Sequence, residues 1–427
     1  MKMLNEHTAA ELAVQLARRV ISAEDLVYAC LERIDSREKS VQAWEFLDRD
    51  MALAQARALD NAPVAGMLHG LPVGVKDIFD TCDMPTSHGS PIYAGHRPSI
   101  DSAPVALARR AGALILGKTV TTEFATFTPS RTRNPHKLTH TPGGSSSGSA
   151  ASVADFMVPL ALGTQTAGSV IRPGAYCGSV AYKPTYNTIP RAGVKPDCDS
   201  LDTVGVYGRS VADVALFTAA LTDRTALRIR ERMTNAPRIG VYHAADWGKL
   251  QPEMTAAIDA AAAKFSAAGA TVREFAFPEP FAGLREAHTA ILMVEVARSL
   301  AGEFRQHPEK FTDGLRARCA KGYEFDMAKY EAALALGAEC RARVPDAMGD
   351  LDVLLVPGAT GEAPEGLEST GDSSMNVVWT LLHGPAVTFP GGTGPRGLPV
   401  GLQVIGRIAD DRRTLACADW MEHVLSK

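Results

Sequence analysis

The chain has 427 residues, enough for one large α/β domain or for two or three smaller ones. Hydrophobic residues make up 46% of it and charged residues 22%, close to ordinary globular usage, so a sizeable core can form. The 44 lysines and arginines nearly balance the 48 aspartates and glutamates. The resulting formal net charge of −4 argues against a strongly basic protein that binds nucleic acid or a membrane surface.

The cysteines and the N-terminal residues indicate the cellular compartment. The seven cysteines are scattered and odd in number, and no C-x-x-C pair occurs, which argues against a disulfide framework and a zinc ribbon. Glu6 and Glu11 lie where the apolar segment of a secretory signal would fall, and no run approaches about 18 apolar residues. These features predict a cytoplasmic protein that does not cross a membrane.

The first forty residues predict two amphipathic helices. Thr8 and Glu11 form the capping-box pattern that opens the first helix, and Ser22 opens the second. A third helical stretch, rich in alanine, covers Asp50–Leu59. The N-terminal part of the chain is therefore expected to be helical.

Short apolar strands and helices alternate from residue 71 onward, which predicts an α/β fold. No internal repeat and no linker rich in proline, glycine and serine stands out. We therefore expect a single domain over residues 1–427, with a less legible helical region over about 227–348. The predicted elements are a strand at Leu71–Val75, a helix at Ala103–Arg110, a strand at Ala113–Leu116, a helix at Ala150–Asp155 and a strand at Met157–Leu162.

One motif points to nucleotide binding and is rejected on its context. Gly112–Thr119 fits the pattern G-x-x-x-x-G-K-[ST], which normally forms a loop between a strand and a helix. Here a helix precedes the motif, and Ala113–Leu116 is itself an apolar strand. A buried strand cannot offer free N–H groups to phosphates. ATP binding at this motif is disfavoured.

Histidines do not form a recognisable site. His136 and His140 are four residues apart, but neighbouring prolines predict a loop, and no carboxylate or cysteine completes a zinc shell. No Ser-His-Asp arrangement is evident, and the G-x-S-x-G nucleophile elbow is absent around the serines discussed below. We expect neither a metal nor an organic cofactor.

The most informative stretch, Thr141–Pro184, contains two glycine-serine turns. One is Gly143-Gly144-Ser145-Ser146 and the other is Ala167-Gly168-Ser169, so two hydroxyl groups are expected to meet at one place. Upstream, Lys76 follows an apolar strand. In the absence of a suitable histidine, this lysine is the leading general base for a serine nucleophile.

A serine that attacks an amide needs a base, donors for the carbonyl oxygen and a proton source for the leaving nitrogen. Lys76 can act as a base only when neutral, so burial must lower its pKa well below the reference of about 10.4. An alternative is an ordinary ion pair between Lys76 and Asp77, and the serines of the first turn could simply cap the following helix. The expected oxyanion donors are the backbone N–H groups of Thr166, Ala167, Gly168 and Ser169.

These motifs resemble those of the amidase signature family, whose enzymes combine a nucleophilic serine, a second serine after a cis peptide bond, and a lysine. By this resemblance Ser169 is the nucleophile, Ser145 is the bridging serine after a cis bond to Gly144, and Lys76 is the base. The spacing of 24 residues between the two serines is the family's own. Similar flanking segments, such as Gly397–Gly406, extend the resemblance over most of the chain.

The resemblance implies an α/β amidase-signature fold with a large, mixed, twisted β-sheet flanked by α-helices on both faces. The signature core would cover about 66–210, and a family-like C-terminal segment would cover about 376–427. Gly144, Ser146, Gln165 and Arg172 are expected to support the site.

Three departures from the family pattern surround the nucleophile. Gln165 stands where the family has aspartate, and Ala167-Gly168 replaces a glycine pair. The usual S-I-R has become Ser169-Val170-Ile171-Arg172, which moves the arginine by one position. We expect its guanidinium to point elsewhere. All three catalytic residue types survive, which favours an active variant.

We therefore expect hydrolysis of a C–N bond in a small linear amide through an acyl-enzyme on Ser169. The expected partner is the small-molecule amide, without nucleic acid or membrane, and a homodimer is left open. The alternative is the glutaminase component of a tRNA-dependent amidotransferase, which shares these motifs. Against it stand a rather short chain and the lack of an evident basic patch.

Overall fold

A computed structural model describes residues 2–244 and 246–427. Within these residues, eleven strands form one sheet and fourteen α-helices pack around it. The strands are β1 (Trp44–Leu47), β2 (Pro72–Lys76), β3 (Leu114–Thr119), β4 (Leu160–Gln165), β5 (Val180–Lys183), β6 (Thr203–Gly208), β7 (Arg238–Val241), β8 (Thr271–Glu274), β9 (Val353–Pro357), β10 (Ala386–Thr393) and β11 (Pro399–Ile405).

The helices lie between these strands and at both ends of the chain. They are α1 (Ala9–Ala17), α2 (Ala23–Val41), α3 (Arg49–Asn61), α4 (Ala103–Arg110), α5 (Ser147–Ala154), α6 (Ile171–Cys177), α7 (Val211–Thr222), α8 (Pro252–Ala267), α9 (Leu284–Ser299), α10 (Ala301–Gln306), α11 (Asp313–Tyr323), α12 (Met327–Met348), α13 (Ser374–Leu381) and α14 (Asp411–Leu425).

The sheet is mixed, with strand order β1-β3-β2-β4-β6-β5-β10-β11-β9-β7-β8. The pairs β2–β3, β2–β4, β7–β8 and β7–β9 are parallel, and the remaining pairs are antiparallel. The prediction of a large mixed sheet is confirmed.

Helices cover both faces of the sheet, as β5 shows. Ala181 lies against Gly174 of α6, where an added Cβ would approach it to 2.6 Å. The next residue, Tyr182, points the opposite way, as alternation along a strand requires. Its hydroxyl donates to Asp411 Oδ1 of α14 at 2.5 Å. Helices α6 and α14 therefore lie on opposite faces, and the predicted flanking helices are confirmed.

The early helices follow their capping signals. The side chains of Thr8 and Glu11 each accept a hydrogen bond from the other's backbone N–H at the start of α1, and Ser22 caps α2. Helix α4 has the predicted bounds. Helix α5 begins at Ser147 rather than Ala150, and Gly148 in its first turn fits tightly against the backbone of neighbouring segments.

Two strands extend further than their apolar runs. Strand β3 continues to Thr119, and β4 covers Leu160–Gln165 rather than Met157–Leu162. Every residue of both strands is buried, including the polar ones. The Gly112–Thr119 motif therefore contributes its Gly117-Lys118-Thr119 part to a buried strand. That placement agrees with the rejection of a phosphate-binding loop.

The contacts of Lys118 bear on the predicted alternative of an ion pair between Lys76 and Asp77. Its ammonium group lies 2.9 Å from Asp77 Oδ1 and also donates to Phe79 O and Thr86 Oγ1. Asp77 therefore pairs with the lysine on β3. An ion pair between Lys76 and Asp77 was the wrong alternative, because Asp77 pairs with Lys118 while the ammonium group of Lys76 contacts two hydroxyls.

The region 227–348 contains α8–α12, as predicted, but also strands β7 and β8, which join the same sheet. These strands are short, and most residues of β8 are exposed, so no apolar run marks them. The single-domain organisation stays a prediction. Of the helices in the described residues, none is both long and apolar enough to span a bilayer.

Candidate active site

The candidate site lies where the parallel strands β2 and β4 end side by side. Lys76 is the last residue of β2, and Thr164 and Gln165 end β4. The turn that carries Ser169 follows β4 directly and leads into α6. Because both strands run the same way, their carboxyl ends bring these residues to one edge of the sheet.

Lys76 is fully buried. Its Nζ lies 2.8 Å from Ser145 Oγ and 2.9 Å from Thr164 Oγ1. Burial lowers the pKa of Lys76 to about 7, against the opposing effect of the negative charges of Asp197 and Asp202. A large fraction of this lysine is therefore neutral at neutral pH, as a general base requires.

Ser145 is held by the backbone of the first glycine-serine turn. The peptide bond between Gly144 and Ser145 is cis, as the family resemblance implied. Gly143 has φ of +82° and lies against the backbone of Pro173, which leaves no room for a side chain. Ser146 links this turn to β4, since its hydroxyl contacts the backbone of Thr164 at 3.3 Å.

Ser169 is 7% exposed, and its turn offers unused backbone donors. Among the described residues, the N–H groups of Thr166, Ala167, Gly168 and Ser169 make no hydrogen bond within the protein. Thr166, Gly168 and Ser169 are buried and Ala167 is half-buried. Because buried N–H groups are nearly always paired, this run of free donors suits an acceptor from outside the fold. A carbonyl oxygen that becomes an oxyanion is such an acceptor.

Gln165 explains how the turn keeps its shape without the family's aspartate. Its Oε1 accepts from the N–H groups of Val170 and Ile171 at 2.9 and 3.0 Å. Its Nε2 donates to Thr380 Oγ1 on α13, and that hydroxyl in turn donates to Ala167 O at 2.7 Å. The side-chain amide oxygen of Gln165 thus accepts hydrogen bonds from N–H groups at the start of α6. Unlike an aspartate, it places no charge in the core.

Arg172 is buried, and its guanidinium points back toward the site. Its Nη2 donates to Gly144 O at 2.7 Å and to Thr370 Oγ1 at 3.1 Å. Burial lowers the pKa of Arg172, with partial compensation from Tyr176 and Asp372. The displaced arginine therefore contacts the peptide that carries Ser145, so it supports the first turn rather than the second.

One expected contact is absent. Among the described residues, no hydrogen bond joins Ser145 Oγ to Ser169 Oγ, although Ser145 contacts Lys76. A serine hydroxyl turns about one bond, and catalytic hydrogen bonds often tighten only in the complex with substrate. The proton relay from Ser169 to Ser145 stays a prediction, as do the catalytic roles of all three residues.

Sequence reasoning missed several residues that surround these groups. Thr164 contacts Lys76, and Thr380 joins α13 to the turn at residues 166–169. Asp202 accepts from Thr166 Oγ1 at 2.5 Å, and His288 Nε2 lies 2.9 Å from Thr166 O. Only Thr164 had a local signal, a polar residue in an apolar strand next to the turn. The others come from distant parts of the chain.

The histidines and the possible metal ligands take part in other contacts. His136 lies in a loop, and its Nε2 is 2.8 Å from Cys177 O. In the described residues, one group of three potential ligands is present, Cys82, Asp83 and Asp101, and Arg109 forms ion pairs with both of its carboxylates. The expectation of no metal and no cofactor stays a prediction.

Comparisons with known proteins agree with this geometry. The amidase family model matches residues 25–415. The A subunit of glutamyl-tRNA(Gln) amidotransferase from Acidothermus cellulolyticus is 34% identical, and the alignment covers 96% of this chain and 93% of the relative. A crystal structure of an amidase shares 29% identity and a TM-score of 0.89, and the alignment covers 98% of this chain and 99% of that one. Peptide amidase from Stenotrophomonas maltophilia shares 27% identity and a TM-score of 0.81, over 99% and 97% of the two chains. The chain belongs to the amidase family, also called the amidase signature family, and is a C–N hydrolase.

Proposed function

We propose that Ser169 attacks the carbonyl carbon of a primary carboxamide and forms an acyl-enzyme with release of ammonia. The observation that carries this proposal is the buried Lys76, with its pKa lowered to about 7 and its Nζ 2.8 Å from Ser145 Oγ. A lysine in this state can take up a proton at neutral pH, and its contact is with a hydroxyl.

The proton path follows from these contacts. As Ser169 Oγ bonds to the carbonyl carbon, its proton passes to Ser145 Oγ, and the Ser145 proton passes to Lys76 Nζ. When the C–N bond breaks, the same path runs in reverse and protonates the leaving nitrogen, so ammonia departs. Water then attacks the ester on Ser169 by the same relay and releases the carboxylic acid. Lys76 ends each half-reaction neutral, and no proton is gained or lost in the relay.

The second turn would stabilise the tetrahedral intermediate. Attack places negative charge on the former carbonyl oxygen, and the free N–H groups of residues 166–169 are fixed before the reaction begins. Loss of one such donor in other enzymes costs about 3–4 kcal/mol of transition-state stabilisation. The hydrogen bonds of Gln165 and Thr380 hold the turn that presents these donors.

Two biological settings fit this chemistry, and the comparisons favour the second. In the first, the chain is a free-standing amidase for small amides. In the second, it is the ammonia-producing component of an amidotransferase and uses glutamine as its amide. The specific support for the second is the 34% identity with the A subunit of a glutamyl-tRNA(Gln) amidotransferase, over nearly the full length of both chains. We therefore propose the amidotransferase setting ahead of the free-standing amidase. In that setting the chain would work with partner chains, and tRNA would be a substrate of the complex.

Measurement of ammonia release separates the two settings. The chain is assayed alone and as isolated from its own cells with any bound partners, on glutamine, aliphatic amides, aromatic amides and ureides. Glutamine turnover that depends on co-purified chains supports the amidotransferase setting. Rapid hydrolysis of another amide by the isolated chain, with no glutamine turnover in either form, supports the free-standing amidase. No ammonia from any amide in either form contradicts both.

A further inference from the structure

A cavity of about 260 Å³ adjoins the catalytic lysine. Thr164, whose hydroxyl contacts Lys76 Nζ, lies in its wall, together with Ile78, Ala125 and the buried Asp197. This volume lies just below the roughly 300–1,000 Å³ of sites for drug-sized ligands. It suits a short chain of a few heavy atoms beside Thr164 and Lys76.

Asp197 stands out because one oxygen of its buried carboxyl group has no hydrogen-bond donor. The residue is 5% exposed, and its Oδ1 is buried without a hydrogen bond. A buried carboxyl oxygen without a donor is costly in a folded protein. Burial and the neighbouring negative charge of Asp202 raise the pKa of Asp197. The positive charges of Arg318 and Lys76 and the hydroxyl of Thr166 act in the opposite direction.

The other charged groups around the cavity are already satisfied. Asp202 accepts from the hydroxyl of Thr166 and from two backbone N–H groups, one of which belongs to Asp197. Arg191 donates to Asp199 O and to Tyr186 Oη. Lys195 forms an ion pair with Glu303. The described residues form no ion pair with Asp197, so Asp197 is the group with unused capacity.

We propose that Asp197 binds an N–H donor of the substrate, preferably an ammonium group, and so selects short amides that carry an amine at the end remote from the reacting carbonyl. This inference rests on the proposed amide hydrolysis at Ser169. A methyl group in place of the amine would leave Asp197 buried and unpaired. Sites built to hydrogen-bond a substrate group reject analogues that lack the group.

The test compares matched pairs of small amides. Glycinamide and the ω-amino amides up to 5-aminopentanamide are each assayed beside the alkyl amide in which a methyl group replaces the amine. In the wild type, at least one amino amide should be preferred by about 10- to 100-fold in kcat/KM, the range expected for a hydrogen bond to a charged group. Asp197→Asn should remove most of this preference, and Asp197→Leu should reverse it. Asp346→Asn, which removes the same charge from an exposed position on α12, should retain it.

Binding gives a second readout that does not depend on turnover. The same pairs are titrated by calorimetry into Ser169→Ala, with and without Asp197→Asn. The subsite is supported if the amino amide binds more tightly than its alkyl partner and if this difference disappears with Asp197→Asn. This result would stand even if the wild type hydrolysed none of these amides, that is, if the proposed reaction failed. Equal treatment of both members of every pair by the wild type, or a preference that survives in Asp197→Asn, overturns the assignment.

Discussion

Lys76 and Lys183 show at the scale of single residues that burial alone does not make a base. Both lysines are fully buried, and burial lowers the pKa of each to about 7. Lys183 donates to the carbonyl oxygens of Gly384 and Pro184, whereas Lys76 contacts two hydroxyls. Of these two lysines, Lys76 is therefore the one whose contacts fit the proposed proton relay.

The pH dependence of kcat/KM should report Lys76. Because the neutral amine is the active form and the pKa of Lys76 is about 7, kcat/KM should rise through about pH 7 and reach a plateau above it. Steady-state assays from about pH 5 to 9 measure this curve. Lys76→Met should lower kcat by several orders of magnitude across the range, since nucleophile, relay and base act as one unit.

Lys183→Met is the matched control for that prediction. It removes a buried lysine with a similarly lowered pKa but without contact to either serine. The variant should keep the same rise near pH 7 even if its stability changes. A profile that stays flat in the wild type, or a rise that disappears only with Lys183→Met, would assign the titration to another group.

At the scale of elements, the turn at residues 166–169 depends on α13. A Cβ on Gly168 would approach Asn376 Oδ1 of α13 to 2.5 Å, and Asn376 is itself fixed by a hydrogen bond to Gly358 O. The same helix supplies Thr380, which donates to Ala167 O. The turn and the helix therefore fit together through a glycine that allows a close approach to Asn376.

Gly168→Ala should reduce kcat by about 100-fold, because the new methyl group displaces the turn from its productive position. The double variant Gly168→Ala/Asn376→Ala removes the clashing side chain and should recover much of the lost rate relative to Asn376→Ala alone. Steady-state kinetics on all three variants form a double-mutant cycle. Losses that simply add in the double variant would show that the clash is not the cause.

At the scale of the whole molecule, contiguous sequence motifs predicted the fold class and which residues are the catalytic candidates. The residues that surround the site could not be predicted. Lys76, Ser145 and the turn at Ser169 lie in local sequence patterns that imply strand ends and tight turns. Thr380 lies 215 residues from Gln165, and Asp197 faces its cavity from a long loop. Such partners depend on how distant elements pack, which no local pattern records. The strand ends were missed for a related reason, since tertiary burial of polar residues extended β3 and β4 beyond their apolar runs.

The identity of the nucleophile tests the central claim most directly. The wild type is treated with a fluorophosphonate reagent, the modified residue is located by mass spectrometry, and ammonia release is measured in parallel for Ser169→Ala. We predict a single adduct on Ser169 and, in the folded variant, loss of both labelling and turnover, because the change removes one hydroxyl and little packing. An adduct on Ser145 or Ser146, together with turnover by Ser169→Ala near that of the wild type, would contradict the account.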